Sequence, residues 1–83
     1  MIKILFFASL KERLAVNSLD FSASEPLTVA DLIVALAEQQ NATWRDILGE
    51  QDILVAVNQT IVPREFVVSP GNEVAFFPPV TGG

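Results

Sequence analysis

The segment PLTVADLIVALAEQQN constrains this chain more than any other. Val29, Leu32, Ile33, Leu36 and Ala37 recur at i, i+3, i+4, i+7 and i+8, which sets one apolar stripe along a helix. Thr28 is a good N-cap, and Asp31 three residues later stands in the capping-box position, although shorter than the usual Glu. Leu27 and Leu32 suit a hydrophobic staple across that cap. Asn41 is placed to end the helix in a left-handed conformation. The pattern recurs in TWRDILG, where Thr43 is expected to cap, Asp46 sits at the third helical position and Gly49 stops a short helical turn.

An apolar stripe has to be buried, and the runs around this helix read as strands. IKILFFA (Ile2 to Ala8) is rich in β-formers and bounded by SLKER; KERLA after it can form one helical turn. SLDFSA alternates, with Leu19 and Phe21 on one face. DILVAVN is a third strand. QTIVP gives a short fourth, ended by Pro63, which cannot donate to a ladder. In SPGN, Pro70 and Gly71 fit the central positions of a type II turn. NEVAFF is the last strand. The order is ββαββ with a short extra helix and a terminal strand. It predicts an α+β roll, a mixed sheet with one main helix packed on one face. Residues 1–77 are expected to form this domain and residues 78–83 an extended, flexible C-terminal tail.

Length and composition narrow the chemistry. The 83 residues suffice for one small domain with one core, and a hydrophobic fraction of 51% supports a packed interior. No apolar run reaches the roughly 18–20 residues of a membrane helix. The opening MIKILFFASL reads as a strand and not as a signal peptide, so a cytoplasmic location is expected. The net charge of −5 disfavours nucleic-acid binding and favours partners with basic surfaces. Cys, His and Tyr are absent. No thiolate, imidazole or disulfide chemistry is open to the chain, and no metal site is expected. A conventional active site is not expected either.

A sheet covered on one side leaves the other side open, and strand period assigns the faces. Ile2, Ile4 and Phe6 share one side of the first strand; Lys3, Leu5 and Phe7 share the other, which the lysine marks as wetter. In the last strand Glu73, Ala75 and Phe77 share the wetter side, opposite Val74 and Phe76. If these two strands are neighbours, Phe7 and Phe77 form one exposed aromatic patch beside the tail, and Ile61 can extend it. Two readings stay open: a loop covers these residues as part of the core, or they form a partner-docking surface.

The chain ends FFPPVTGG. Pro78 and Pro79 favour a stiff, extended exit from the sheet. Val80 and Thr81 offer small β-branched contacts. Gly82 and Gly83 lack a Cβ, so a partner's tunnel can close tightly around the backbone. A terminal carboxylate is ionised at neutral pH and can attack the α-phosphate of ATP in a partner's site, which makes an electrophilic acyl adenylate. The reactive group would then belong to the main chain.

MIKILFFASLKE, AVNQTIV and GNEVAFFPPVTGG together resemble the molybdopterin synthase small subunits, the MoaD branch of the ThiS/MoaD sulfur carriers. The likeness runs from residue 1 to residue 83, with Asn72 where many relatives carry Asp and with residues 11–50 matching mainly in pattern. It implies a β-grasp, ubiquitin-like fold for residues 1–77. It also implies that Gly83 is the catalytic position. A MoeB-like activating enzyme adenylates it with ATP and Mg²⁺, sulfur transfer makes it a thiocarboxylate, and the carrier itself binds no cofactor. The tail then enters the large subunit, MoaE, where the sulfur attacks cyclic pyranopterin monophosphate to form the molybdopterin dithiolene. The working synthase of the family is a heterotetramer, and acid–base residues would belong to the large subunit. By matching positions, Gly82, Thr81 and Val80 thread the tail, and Phe7, Ile61 and Phe77 form the docking patch. The chain would thus be an enzyme only as the sulfur-donating subunit.

Three alternatives share parts of this reading. A sulfur carrier for thiazole synthesis would have the same fold, tail and activation, but FFPPVTGG favours the molybdopterin branch. A ubiquitin-like modifier would join its terminus to target lysines; with only Lys3 and Lys11 of its own, self-conjugation is limited. A plain binding module would carry an inert tail.

Overall fold

The computed structural model describes residues 1–79 of the chain, and its first and last strands are neighbours. β1 (Ile2–Phe6) is followed by α1 (Ser9–Leu14), β2 (Ser18–Phe21), β3 (Leu27–Thr28) and α2 (Val29–Gln39). Then come α3 (Ala42–Leu48), β4 (Leu54–Val57), β5 (Thr60–Ile61), β6 (Val67–Val68) and β7 (Glu73–Phe77). The main sheet has the order β2-β1-β7-β4-β5. β1 pairs antiparallel with β2 and parallel with β7, and β7 pairs antiparallel with β4. The expected mixed sheet with its main helix on one face is therefore present.

The stripe read from the sequence is the buried stripe of α2: Val29, Leu32, Ile33, Leu36 and Ala37. They pack with Ile2, Ile4 and Phe6 of β1, Val74 and Phe76 of β7, and Val55 and Val57 of β4 in one core cluster. Rings link the layers: Phe6 stacks on Phe76 at 5.8 Å and meets Trp44 of α3 edge-on at 5.4 Å. Both geometries are the favoured ones for aromatic pairs. Leu19 and Phe21 lie opposite Ile4 and Ile2, so β2 presents its apolar face to the same core.

Caps and turns follow local chemistry, with corrections. Thr28 Oγ1 accepts the Asp31 N–H at 3.1 Å and caps α2 as expected. Asn41 does not end α2 in a left-handed conformation. The helix stops at Gln39, and Asn41 is extended, at φ −171°. Its side chain instead caps α3 by accepting the Thr43 N–H at 3.0 Å, so Asn41 and not Thr43 is the N-cap there. Asn outranks Thr as a cap, and one residue cannot serve both as a left-handed stop and as an extended start. Gly71 has φ +97°, and Asn72 N–H bonds to Ser69 O at 3.0 Å, the form of the predicted turn.

Strand limits are shorter than the periodicity suggests. β1 stops at Phe6, because the backbone turns sharply at Ala8. A second, two-stranded sheet joins β3 to β6, with Leu27 opposite Val68. Two-residue strands carry too little pattern to be seen in sequence.

Replacing Thr28 with Ala removes the cap acceptor of the helix that covers the core. We expect a loss of about 1 kcal/mol of stability. Urea unfolding should show it as a lower midpoint at an unchanged m-value.

Candidate functional site

The face of the sheet turned away from α2 is built row by row from the strand register. Leu5, Ala75, Ala56 and Ile61 are successive partners across β1, β7, β4 and β5. Partners share a face, so these four side chains form one apolar row. The row beside it holds Phe77 opposite Leu54. Phe7 follows β1 and continues its ladder, donating its N–H to Phe76 O at 3.1 Å. Lys3 opposite Glu73, with Asp20 opposite Lys3 on the other side, closes the far end with charge. The face is thus apolar at the end where the chain leaves β7 and charged at the other.

Exposure separates the two readings of the patch. Phe7 is 49% exposed and Ile61 63%, while Phe77 and Leu54 are half-buried. None of the four belongs to the core cluster. Ala56 is only 8% exposed yet is also outside that cluster, because it lies flat between its neighbours on the open face. The structure brings Phe7, Ile61 and Phe77 onto one face, as expected, and adds Leu5, Leu54, Ala56 and Ala75 as its floor. Leu54 and Ala56 were not singled out in the sequence. LVAV is apolar on both sides, and only the register with β7 tells which side faces out.

Two turns hold the edges of this surface. The β4–β5 turn carries positive φ at both Asn58 (49°) and Gln59 (71°), which a two-residue hairpin of the primed type requires. Asn58 Oδ1 accepts the Glu73 N–H at 2.9 Å, and Asn58 N–H donates to Glu73 O at 2.8 Å. Asn tolerates positive φ, so one residue both makes the turn that presents Ile61 and ties it to the start of β7.

Pro78 is half-buried and Pro79 exposed, both outside regular structure. The expected threading and catalytic positions Val80, Thr81, Gly82 and Gly83 lie outside the described residues.

No three acidic side chains converge as a metal cluster among the described residues. A depression of about 380 Å³ where the chain enters β4 and leaves β5 is lined by Ile53, Leu54, Val55, Val62 and Pro63, with Arg64 as its charged residue. Arg64 is already engaged, donating to Glu50 O at 3.2 Å and Ile53 O at 2.8 Å. Arg13 and Glu50 form a two-bond ion pair that ties α1 to the loop before β4. The hydrogen bond from Arg13 holds the Glu50 carboxyl below its ordinary range, against a smaller opposing effect of desolvation. No helix among the described residues is long and apolar enough to cross a membrane.

The ThiS family model matches residues 4–83. The chain belongs to the ThiS family. It is 43% identical to the molybdopterin synthase sulfur carrier subunit of Escherichia coli strain K12, over the whole of both chains. It is 37% identical to the subunit of the same name from Haemophilus influenzae, again over the whole of both. Among solved structures, SAMP1 from Haloferax volcanii superposes with a TM-score of 0.80 at 26% identity, covering 99% of this chain and 98% of that one. Subunit 1 or 2 in the molybdopterin-converting factor complex of Helicobacter pylori superposes with a TM-score of 0.65 at 19% identity, covering 99% and 97%, which speaks to the fold alone. The β-grasp, ubiquitin-like architecture of this family is the one described above.

The two sides of the sheet should respond oppositely to truncation. Phe7→Ala and Ile61→Ala are expected to change unfolding free energy by less than about 0.5 kcal/mol. Phe76→Ala, at the centre of the core, should cost about 3–5 kcal/mol. Denaturant melts of the three variants check this. The ion pair gives a pH signature. Since the folded carboxyl titrates below its unfolded value, the stabilisation is present at neutral pH and is lost as pH falls through the folded value. Glu50→Gln should therefore lie below wild type in melting temperature at neutral pH and low salt. The gap should close in acid, and also in high salt because both partners are exposed.

Proposed function

We propose that this chain is the sulfur carrier subunit of a molybdopterin synthase. The observation that carries the reading is full-length identity to two proteins of that name, with the match running through Gly83. The geometry supports it: an apolar docking face lies at the end of the sheet from which the Pro78–Pro79 exit leads to the diglycine end. The composition supports it as well, because a chain without Cys, His or Tyr has no side-chain thiolate or imidazole to carry sulfur or group-transfer chemistry of its own.

In this scheme a carboxylate oxygen of Gly83 attacks the α-phosphorus of ATP in an adenylating, MoeB-like enzyme, which requires Mg²⁺. Pyrophosphate leaves, and the carboxyl becomes a mixed anhydride. A sulfur donor displaces AMP and leaves a thiocarboxylate. The tail then delivers this sulfur to cyclic pyranopterin monophosphate in the large subunit, MoaE, which contributes the acid–base groups. Two deliveries make a dithiolene, consistent with a heterotetramer. Phe7, Ile61 and Phe77 seat the domain on each partner, while Val80, Thr81 and Gly82 thread the tail. The solved complex of subunits 1 and 2 in Helicobacter pylori supports the large subunit as partner.

A modifier function is the second reading. It is favoured by the fold shared with SAMP1, a small archaeal modifier protein, at 26% identity. Intact-mass measurement of the protein from its native host separates the two. A carrier gains the mass of one oxygen-to-sulfur exchange at its terminus; a modifier appears as adducts on lysines of other proteins.

Deleting Gly83, or amidating it, is expected to abolish dithiolene formation in a reconstituted synthase and to leave the melting temperature unchanged. Gly82→Ala should slow adenylation or transfer with the same neutrality toward folding. A capped or shortened chain that still supported synthesis would end this reading.

A further inference from the structure

Next to Phe7 the backbone does something costly. Ala8 has φ 54° and ψ −132°, a conformation that residues with a Cβ reach only against steric resistance. Phe7 accepts the Leu10 N–H at 3.2 Å, closing a two-residue turn over Ala8 and Ser9. The angles at Ala8 are those of the first central position of a type II′ turn, where glycine is favoured.

The turn is held from both sides. Phe7 is bonded to Phe76 in the ladder, and Leu10 and Leu14 anchor the outgoing helix in the core. Glycine would satisfy the same geometry without strain. The alanine is exposed, lies outside the core cluster and gives α1 no side-chain cap. Among the described residues its methyl group thus has no place in the packed core. A locally unfavourable residue beside an exposed docking ring points to function outside the fold.

We propose that the Phe7–Leu10 turn is part of the docking face and that the Ala8 methyl is a contact group, buried against an apolar surface of the large subunit in the complex. The assignment rests on the docking role proposed above. Ala8 would sharpen the fit around Phe7 at the expense of the free domain's own stability.

The full chain and the large subunit from the same organism provide the test, by titration calorimetry and thermal melting. Ala8→Gly is expected to raise the melting temperature, by roughly 2–8 °C, as backbone strain is relieved. The same variant should bind the large subunit about fourfold more weakly, the effect of losing one buried methyl group. Ala8→Ser keeps the Cβ and should bind within about twofold of wild type. A residue with only a structural role would move stability and affinity in the same direction. Ala8→Gly binding as tightly as wild type, or melting lower than wild type, overturns the assignment. Failure of the wild-type chain to bind the large subunit at all would overturn the docking role along with it.

Discussion

The parallel pairing of β1 with β7 is the contact on which the rest of the molecule depends. Parallel neighbours cannot be joined by a tight hairpin, so everything between Phe6 and Glu73 serves as their connection. That pairing places Phe7 and Phe77 at one end of the sheet and sends the chain's exit out beside them. β7 also lies between β1 and β4, hydrogen-bonded on both sides, with Val74 and Phe76 fully buried. The exit is therefore rooted in the interior strand least able to fray. The base of the exit is held by two neighbouring strands, and the exposed Pro79 follows β7 within two residues.

One main helix can cover one face of a sheet. α2 takes the side of Ile2, Ile4, Phe6, Val74 and Phe76, and α1 and α3 add Leu10, Leu14, Trp44, Ile47 and Leu48 to the same side. The other side is left with side chains that would be core residues in a two-layer covering: Leu5, Phe7, Leu54, Ile61 and Phe77. Small residues at Ala56 and Ala75 keep the middle of that face low between taller neighbours. The packed core and the exposed apolar rows thus lie on opposite faces of the same strands.

Much of this was legible in the sequence because it depends on short-range pattern. The α2 stripe and its Thr28 cap need only helical spacing, and the faces of β1 and β7 need only alternation with one charge to mark the wet side. What was not legible depends on tertiary placement. The β3–β6 pair is two residues long on each side, and Asn41 had two plausible local roles that only the path into α3 decides. Leu54 and Ala56 lie in a run apolar on both sides. Ala8 gave no signal at all, since alanine has no preference for the conformation it is forced to hold.

An open apolar face on a small domain invites self-association, and the charge pattern answers that hazard. With ten acidic against five basic side chains, copies of this chain repel one another at neutral pH. Arg13 is paired with Glu50, and Arg64 is turned onto backbone carbonyls, so two of the five cations are already engaged within the chain. The edge strands that could recruit another sheet are short, with four residues in β2 and two in β5. A field of this sign also favours encounter with surfaces of opposite charge. Charge therefore works against pairing of like copies across the uncovered face.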